Sequence, residues 1–224
     1  MFAQITTLLA LFAVGAAASL QSPGETAKGL KCSGSPRTVY INPQLVSVKL
    51  PGGRSVPLGF HGAKNANGSA YWQEYNNPGI VELGMYECAS SYMGYISNTD
   101  GAIRISNGHI RVIKDGFEAA SCLTVDFDAS VNSGFITLQP CSMADDASQT
   151  RQFWHVEQNE ESDFDTPRKG QTPIRFLGNV TYNNGDNEGF YNTEVQKING
   201  THVVKASFSY GIYNEYQTKL EVFY

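Results

Sequence analysis

Hydrophobic and polar positions alternate in short runs along most of this chain, with the period of two that a half-buried strand requires. Runs rich in β-branched and aromatic residues cover 38–41, 45–50, 80–83, 102–105, 109–113 and 122–127. They continue at 135–138, 153–156, 174–177, 201–208 and 218–223. Turn signals separate them: Pro51-Gly52-Gly53, Asn67-Gly68, Asn76-Asn77-Pro78-Gly79, Asp100-Gly101, Asn107-Gly108, Asp115-Gly116, Asn132-Ser133-Gly134 and Asn183-Asn184-Gly185-Asp186. Asn-Gly and Asp-Gly tolerate the positive φ of the turns that join antiparallel strands. Turns every 8–12 residues with no amphipathic helical stretch predict an all-β sandwich or barrel. The polar segment 157–170 reads as a long exposed loop, and nothing resembles a linker between two halves.

The first eighteen residues are different material. Residues 5–18 read ITTLLALFAVGAAA, no charge precedes Glu25, and the run ends in Ala16-Ala17-Ala18. An apolar run ending in small residues predicts a cleaved secretory leader over 1–18. It is shorter than the ~20 residues a bilayer demands, and no later run spans one, so no membrane span is expected. Export agrees with four cysteines, Cys32, Cys88, Cys122 and Cys141, an even number suited to two disulfides. It also agrees with three glycosylation triplets at Asn67, Asn179 and Asn199. The cysteine spacings do not suit zinc, because no C-x₂₋₄-C pair or close histidine pair exists. The expectation is therefore no metal and no cofactor.

Composition narrows the partners. Of 224 residues, 21 are acidic and 16 basic, giving a net charge of −5, and the basic residues are scattered. The nearest approach to a basic pair is Arg168-Lys169. Nucleic-acid binding needs clustered cations, so that class is excluded. At 41% hydrophobic the chain has ample material for a core. Its 22 glycines are spent on turns.

A partial repeat lies within the strand pattern. Gly79-Ile80-Val81-Glu82-Leu83 leads to Cys88, and Gly134-Phe135-Ile136-Thr137-Leu138 leads to Cys141. Such self-similarity suggests repeated supersecondary units. The stretch Ser121-Cys122-Leu123-Thr124-Val125, then 134–141, then Gln152-Phe153-Trp154 resembles a ricin B-type lectin repeat. Asp100-Gly101-Ala102-Ile103-Arg104 resembles the strand that precedes it in that family. The resemblance covers about 55 residues, and the chain resembles secreted fungal proteins of this general kind. It implies a β-trefoil of three degenerate subdomains, approximately 30–95, 96–160 and 161–224, forming one domain over 30–224. The third would have lost its cysteine and its Trp. The resemblance also implies pairing of Cys122 with Cys141, leaving Cys32 for Cys88. From the residues alone, all three pairings stay open.

In that family the sugar is held by an acid, an aromatic and an Asn-Gln pair. The matching positions here are Thr124, Gln139, Arg151 and Gln152, of which only Gln152 fits the pattern. The familiar galactose site is thus degenerate. Tyr86 falls at the stacking position of the first copy, with no Asn-Gln pair after Cys88. Trp154 reads as core, with an indole N–H that needs a backbone acceptor. The stretch Tyr71-Trp72-Gln73-Glu74-Tyr75 is a candidate sugar platform, with Tyr71, Gln73 and Tyr75 alternating against Trp72. The carbohydrate-binding candidates are therefore Gln152, Tyr71 and Trp72.

Catalytic signals are thin. His61, His109, His155 and His202 stand apart in sequence, and no nucleophile elbow occurs. Asp126/Asp128 and Asp163/Asp165 read as turn residues, and 184–188 lacks the spacing of a calcium loop. The expectation is not an enzyme. It is a secreted lectin-like glycoprotein with a degenerate or relocated sugar site, whose partner is a carbohydrate or an extracellular glycoprotein. The alternative is an extracellular interaction protein on the same scaffold, a protease inhibitor or effector that binds no sugar.

Overall fold

The computed structural model describes residues 29–36, 38–41, 46–49, 55–74, 82–101, 103–114, 117–128, 132–159, 172–178, 189–210 and 220–222. The leader over 1–18, Tyr75, Gly79, the Asp163/Asp165 pair, the 184–188 segment and Asn179 lie outside the described residues. Among those described the chain is β-structure with one short 3-10 helix, Ala147–Arg151. No helix there is long and apolar enough to cross a membrane.

Fifteen strands follow in order. The first six are β1 (Lys31–Cys32), β2 (Thr38–Ile41), β3 (Val46–Lys49), β4 (Ser55–Gly59), β5 (Gln73–Glu74) and β6 (Glu82–Ala89). Then come β7 (Asn98–Asp100), β8 (Ile103–Lys114), β9 (Phe117–Asp128), β10 (Ser133–Pro140) and β11 (Trp154–Asn159). The last are β12 (Thr172–Phe176), β13 (Gly189–Ile198), β14 (Thr201–Tyr210) and β15 (Leu220–Val222). All of their pairings are antiparallel and belong to one fifteen-stranded sheet.

One pairing pattern recurs three times. β8 pairs with β11, and the β9–β10 hairpin lies between them in sequence. β12 pairs with β15, and the β13–β14 hairpin lies between those. In the first third β2 pairs with β6, with the β4–β5 pair between. β6 pairs with β8 and β11 with β12, linking one third to the outer strand of the next, whereas β15 pairs with β3 and not with β2. The three hairpin regions meet at Trp72, whose N–H donates to Ile136 O at 2.8 Å and whose carbonyl accepts from Val204 N at 2.8 Å.

The core fills the space that these pairings enclose. Leu83, Met85, Ile110, Leu123, Val125, Ile136, Trp154, Val156 and Val204 are buried in one cluster with Trp72. The alternation read from sequence accounts for β9, β10 and β14. Leu123 and Val125 enter this core, and Cys122 and Thr124 on the opposite face of β9 are buried as well. β9 is thus covered on both sides over residues 122–125.

Two departures from the sequence pattern have clear causes. Asn107-Gly108 is not a turn, because β8 runs unbroken from Ile103 to Lys114. Gly108, at φ +153°, is there for clearance: a Cβ would stand 2.1 Å from Tyr86 O and 2.6 Å from Cys88 N. β13 was not anticipated as a strand. It is joined to β14 by Asn199-Gly200, with φ of +48° and +88°, between the paired Ile198 and Thr201. Two consecutive positive φ values make the tight hairpin that Asn-Gly favours. Asp115 and Gly116 lie outside the described residues, between the paired ends Lys114 and Phe117.

Candidate functional site

The two disulfides are Cys32–Cys88 and Cys122–Cys141, as the family resemblance implied. The first closes β1 onto β6 at a directly paired position. The second holds β9 against the segment that follows β10. Both flank one buried imidazole, His109 on β8. His109 Nε2 lies 2.6 Å from Gln149 Oε1, and Nδ1 lies 3.6 Å from Cys122 Sγ. The Gln149 amide nitrogen donates to Ser142 O and Ala144 O, so its oxygen faces the imidazole and Nε2 carries the hydrogen. Burial lowers the His109 pKa to about 4, opposed by the Gln149 hydrogen bond and aided by the Arg111 charge.

The sequence candidates for sugar binding turn inward. Trp72 has no exposed surface and stacks on Phe60 with ring centroids 5.9 Å apart. A ring enclosed on both faces has none to offer a pyranose, which corrects its assignment to a platform. Gln73 is also buried and donates to His61 O. Tyr71 is half-buried and meets Phe135 edge-on at 5.3 Å. Gln152 is corrected too, because its amide is fully engaged within the protein. It donates to Thr124 Oγ1 and Pro140 O, both at 2.9 Å, and accepts from Ser142 N at 2.7 Å. It braces the end of β10 against β9. Trp154 finds its backbone acceptor in Leu123 O at 2.9 Å. Asp126 does not cap a turn. It sits on β9 and accepts from Asn65 Nδ2 at 2.8 Å, pinning the 61–69 loop.

A different surface gathers exposed aromatic and polar groups. The segment 90–97, between β6 and β7, carries Tyr92 and Ile96, which are 50% and 80% exposed, and the half-buried Tyr95. With β8, β11 and β12 this segment lines an open cleft of about 640 Å³. Register builds the polar wall. His155 on β11 lies directly opposite Asn107 on β8 and Arg175 on β12, so three strands present one polar row. Asn107 Nδ2 donates to Ile96 O at 2.9 Å, which turns its carbonyl oxygen toward His155 Nδ1, also at 2.9 Å. Behind the row, Glu157 bonds His155 Nε2 at 2.9 Å and Arg175 at 3.3 Å.

The aromatic wall is held by one carboxylate. Asp145 accepts from the Ser90 and Ser91 hydroxyls and from the Ser91 and Tyr92 amides. Desolvation would raise its pKa, but these four donors outweigh it and hold it at about 2. The turn closes with Gly94 N donating to Ser90 O. A second cleft of about 580 Å³, lined by Lys31, Glu87 and Cys88, shares Tyr95 and Ile96 with the first.

Chemically, this surface offers rings for apolar contact and the partly exposed Arg175 guanidinium for hydrogen bonding, while the buried Asn107 amide and the His155 imidazole bond one another and their neighbours. None of these residues stood out in the sequence. Residues 92–98, 107, 155 and 175 are far apart along the chain and meet only through strand register. The one available signal was negative: His155 follows Trp154, so a buried Trp places the His on the other face.

Of the glycosylation triplets, Asn67 lies exposed in a turn and Asn199 exposed at the β13–β14 hairpin tip. Comparison with family models, with curated proteins and with solved structures finds no match.

Proposed function

We propose that this chain is a secreted, non-catalytic, lectin-like glycoprotein of β-trefoil architecture whose sugar site has moved to the Tyr92–Asn107–His155–Arg175 cleft. The threefold recurrence of strand pairing supports the trefoil: each third pairs its first and last strands and sets a hairpin between them. The residues lining the cleft carry the functional reading. A tyrosine ring stacks on the C–H face of a pyranose, while a guanidinium such as that of Arg175 bonds its hydroxyls. Concavity with a few convergent polar groups is what a small-ligand site requires. Glu157 bonds both His155 and Arg175 and so holds the polar wall of the cleft in place. Exposed Asn67 and Asn199 are compatible with N-linked glycans.

A second reading, an extracellular interaction protein, is favoured by one observation. Tyr92, Ile96 and Met143 expose 50%, 80% and 49% of their surface, which suits contact with a protein. A glycan array probed with the purified chain separates the two. Saturable binding to one sugar class, weakened tenfold or more by Tyr92→Ala, is the expected result. No binding across the array overturns the lectin reading and leaves the interaction protein.

A further inference from the structure

We propose that the two clefts beside the 90–97 segment form one path for a linear, neutral oligosaccharide, with Glu87 and Lys31 making a second sugar subsite. This deepens the lectin reading of the first cleft, on which it rests. Tyr95 and Ile96 line both clefts. Ile96 is 80% exposed, so the two openings meet at one solvent-facing side chain. A single pyranose occupies one cleft. A chain of three or more residues crosses Ile96 and occupies both.

Register builds the second subsite as it builds the first. β1 pairs with β6, Lys31 opposite Ala89 and Cys32 opposite Cys88, and Ser33 N donates to Glu87 O at 2.8 Å. Strand alternation then sets Lys31, Ser33, Glu87 and Ala89 on one face, with the disulfide on the other. The Glu87 carboxylate is held through one oxygen. Arg104 Nε and Nη2 donate to Oε1 at 3.3 and 3.0 Å, and Ser106 Oγ donates to it at 2.9 Å. All three donors stop at Oε1, so Oε2 is the acceptor offered to the cleft that Glu87 lines. Lys31, exposed at the rim, supplies donors. A fixed carboxylate and an ammonium suit neighbouring hydroxyls, one donating and one accepting, and the carboxylate disfavours an acidic sugar.

The ridge between the clefts is fixed at both ends. Asp145 holds residues 90–92. At the far end Asn107 donates through Nδ2 to Ile96 O and through its main chain to Ser97 Oγ, both at 2.9 Å. A preformed ridge lowers the ordering cost of binding. Once the first cleft has taken one residue, the glycosidic link presents the next to the second cleft at high effective concentration. Affinity therefore rises with chain length.

Calorimetry with β1,4-linked oligomers of glucose, galactose, mannose and N-acetylglucosamine, one to four residues long, tests this. In a series that binds, the trimer is expected to bind roughly tenfold or more tightly than the monomer. Glu87→Gln keeps an oxygen for Arg104 and Ser106 and turns an amide toward the cleft, and Lys31→Ala changes an exposed position. Each is expected to weaken the trimer about fivefold and to leave the monomer and the circular dichroism spectrum unchanged. Equal affinity for monomer and trimer, or a trimer indifferent to both substitutions, overturns the second subsite and leaves a single-cleft lectin. No binding by any of the four series overturns it too, and the glycan array then decides the lectin reading on its own.

Discussion

The segment 71–74 and the segment 92–98 both carry paired aromatic residues, yet the fold uses them in opposite ways. Trp72 lies where three hairpin regions converge, with its main chain bonded to β10 and β14. Its neighbours cover it completely. Tyr92 sits on a turn outside the sheet, tied down through its backbone amide by Asp145, so its ring remains in solvent. Aromatic density in sequence thus says little about binding. What separates the buried ring from the exposed one here is whether strand pairing or a side-chain clamp holds the backbone.

The largest expected effect tests the buried side of this contrast. Trp72→Ala removes a fully enclosed ring and should cost about 3–5 kcal/mol in denaturant unfolding. A loss under 1 kcal/mol would mean that the junction collapses freely.

The floor beneath the exposed loop comes next. Tyr95 stacks on Phe153 at 6.4 Å, and Phe153 meets His109 edge-on at 6.2 Å. With its pKa lowered from 6.5 to about 4, folded His109 stays neutral while the unfolded chain takes up a proton. The oxidised protein should therefore lose stability as pH falls from 6.5 to 4, on the order of 3 kcal/mol from this group. His109→Gln should flatten that part of the stability–pH curve, and an unchanged slope would remove His109 as its cause.

Asp145 works in a lower window. Its pKa is depressed from 3.8 to about 2, so its contribution is present above 3.8 and fades as pH falls toward 2. Between those values the Tyr92 resonances of the wild type should move toward those of the free chain. In Asp145→Asn they should start displaced and respond little to pH. A wild-type Tyr92 signal that stays constant to pH 2 would show that the clamp is not what orders the turn.

The smallest stability effect belongs to Tyr92→Ala, expected within ~0.5 kcal/mol because the ring is half in solvent. A large loss in unfolding experiments would make Tyr92 a structural residue and weaken the contrast.

How much of this was legible in the sequence depends on the range of each signal. Strands β9, β10 and β14 followed from local alternation, and the indole of Trp154 needed the acceptor that Leu123 supplies. The disulfide pairs came through the family resemblance, not through spacing. Asn107-Gly108 misled because the glycine serves clearance against Tyr86 and Cys88, a tertiary cause with the same local signature as a turn. β13 was missed because Asn199-Gly200 was read as a glycosylation triplet and not also as a hairpin. The cleft was invisible because Asn107, His155 and Arg175 become neighbours only across β8, β11 and β12. Gln152 carried a family pattern, but its amide braces the fold.

The central claim is that ligand binds at Tyr92 and not at Tyr71. Affinity for the strongest array glycan, measured by calorimetry for wild type, Tyr92→Ala and Tyr71→Ala, tests it most directly. The account predicts a loss of tenfold or more for Tyr92→Ala and less than a twofold change for Tyr71→Ala. Retained affinity in Tyr92→Ala with loss in Tyr71→Ala would contradict it.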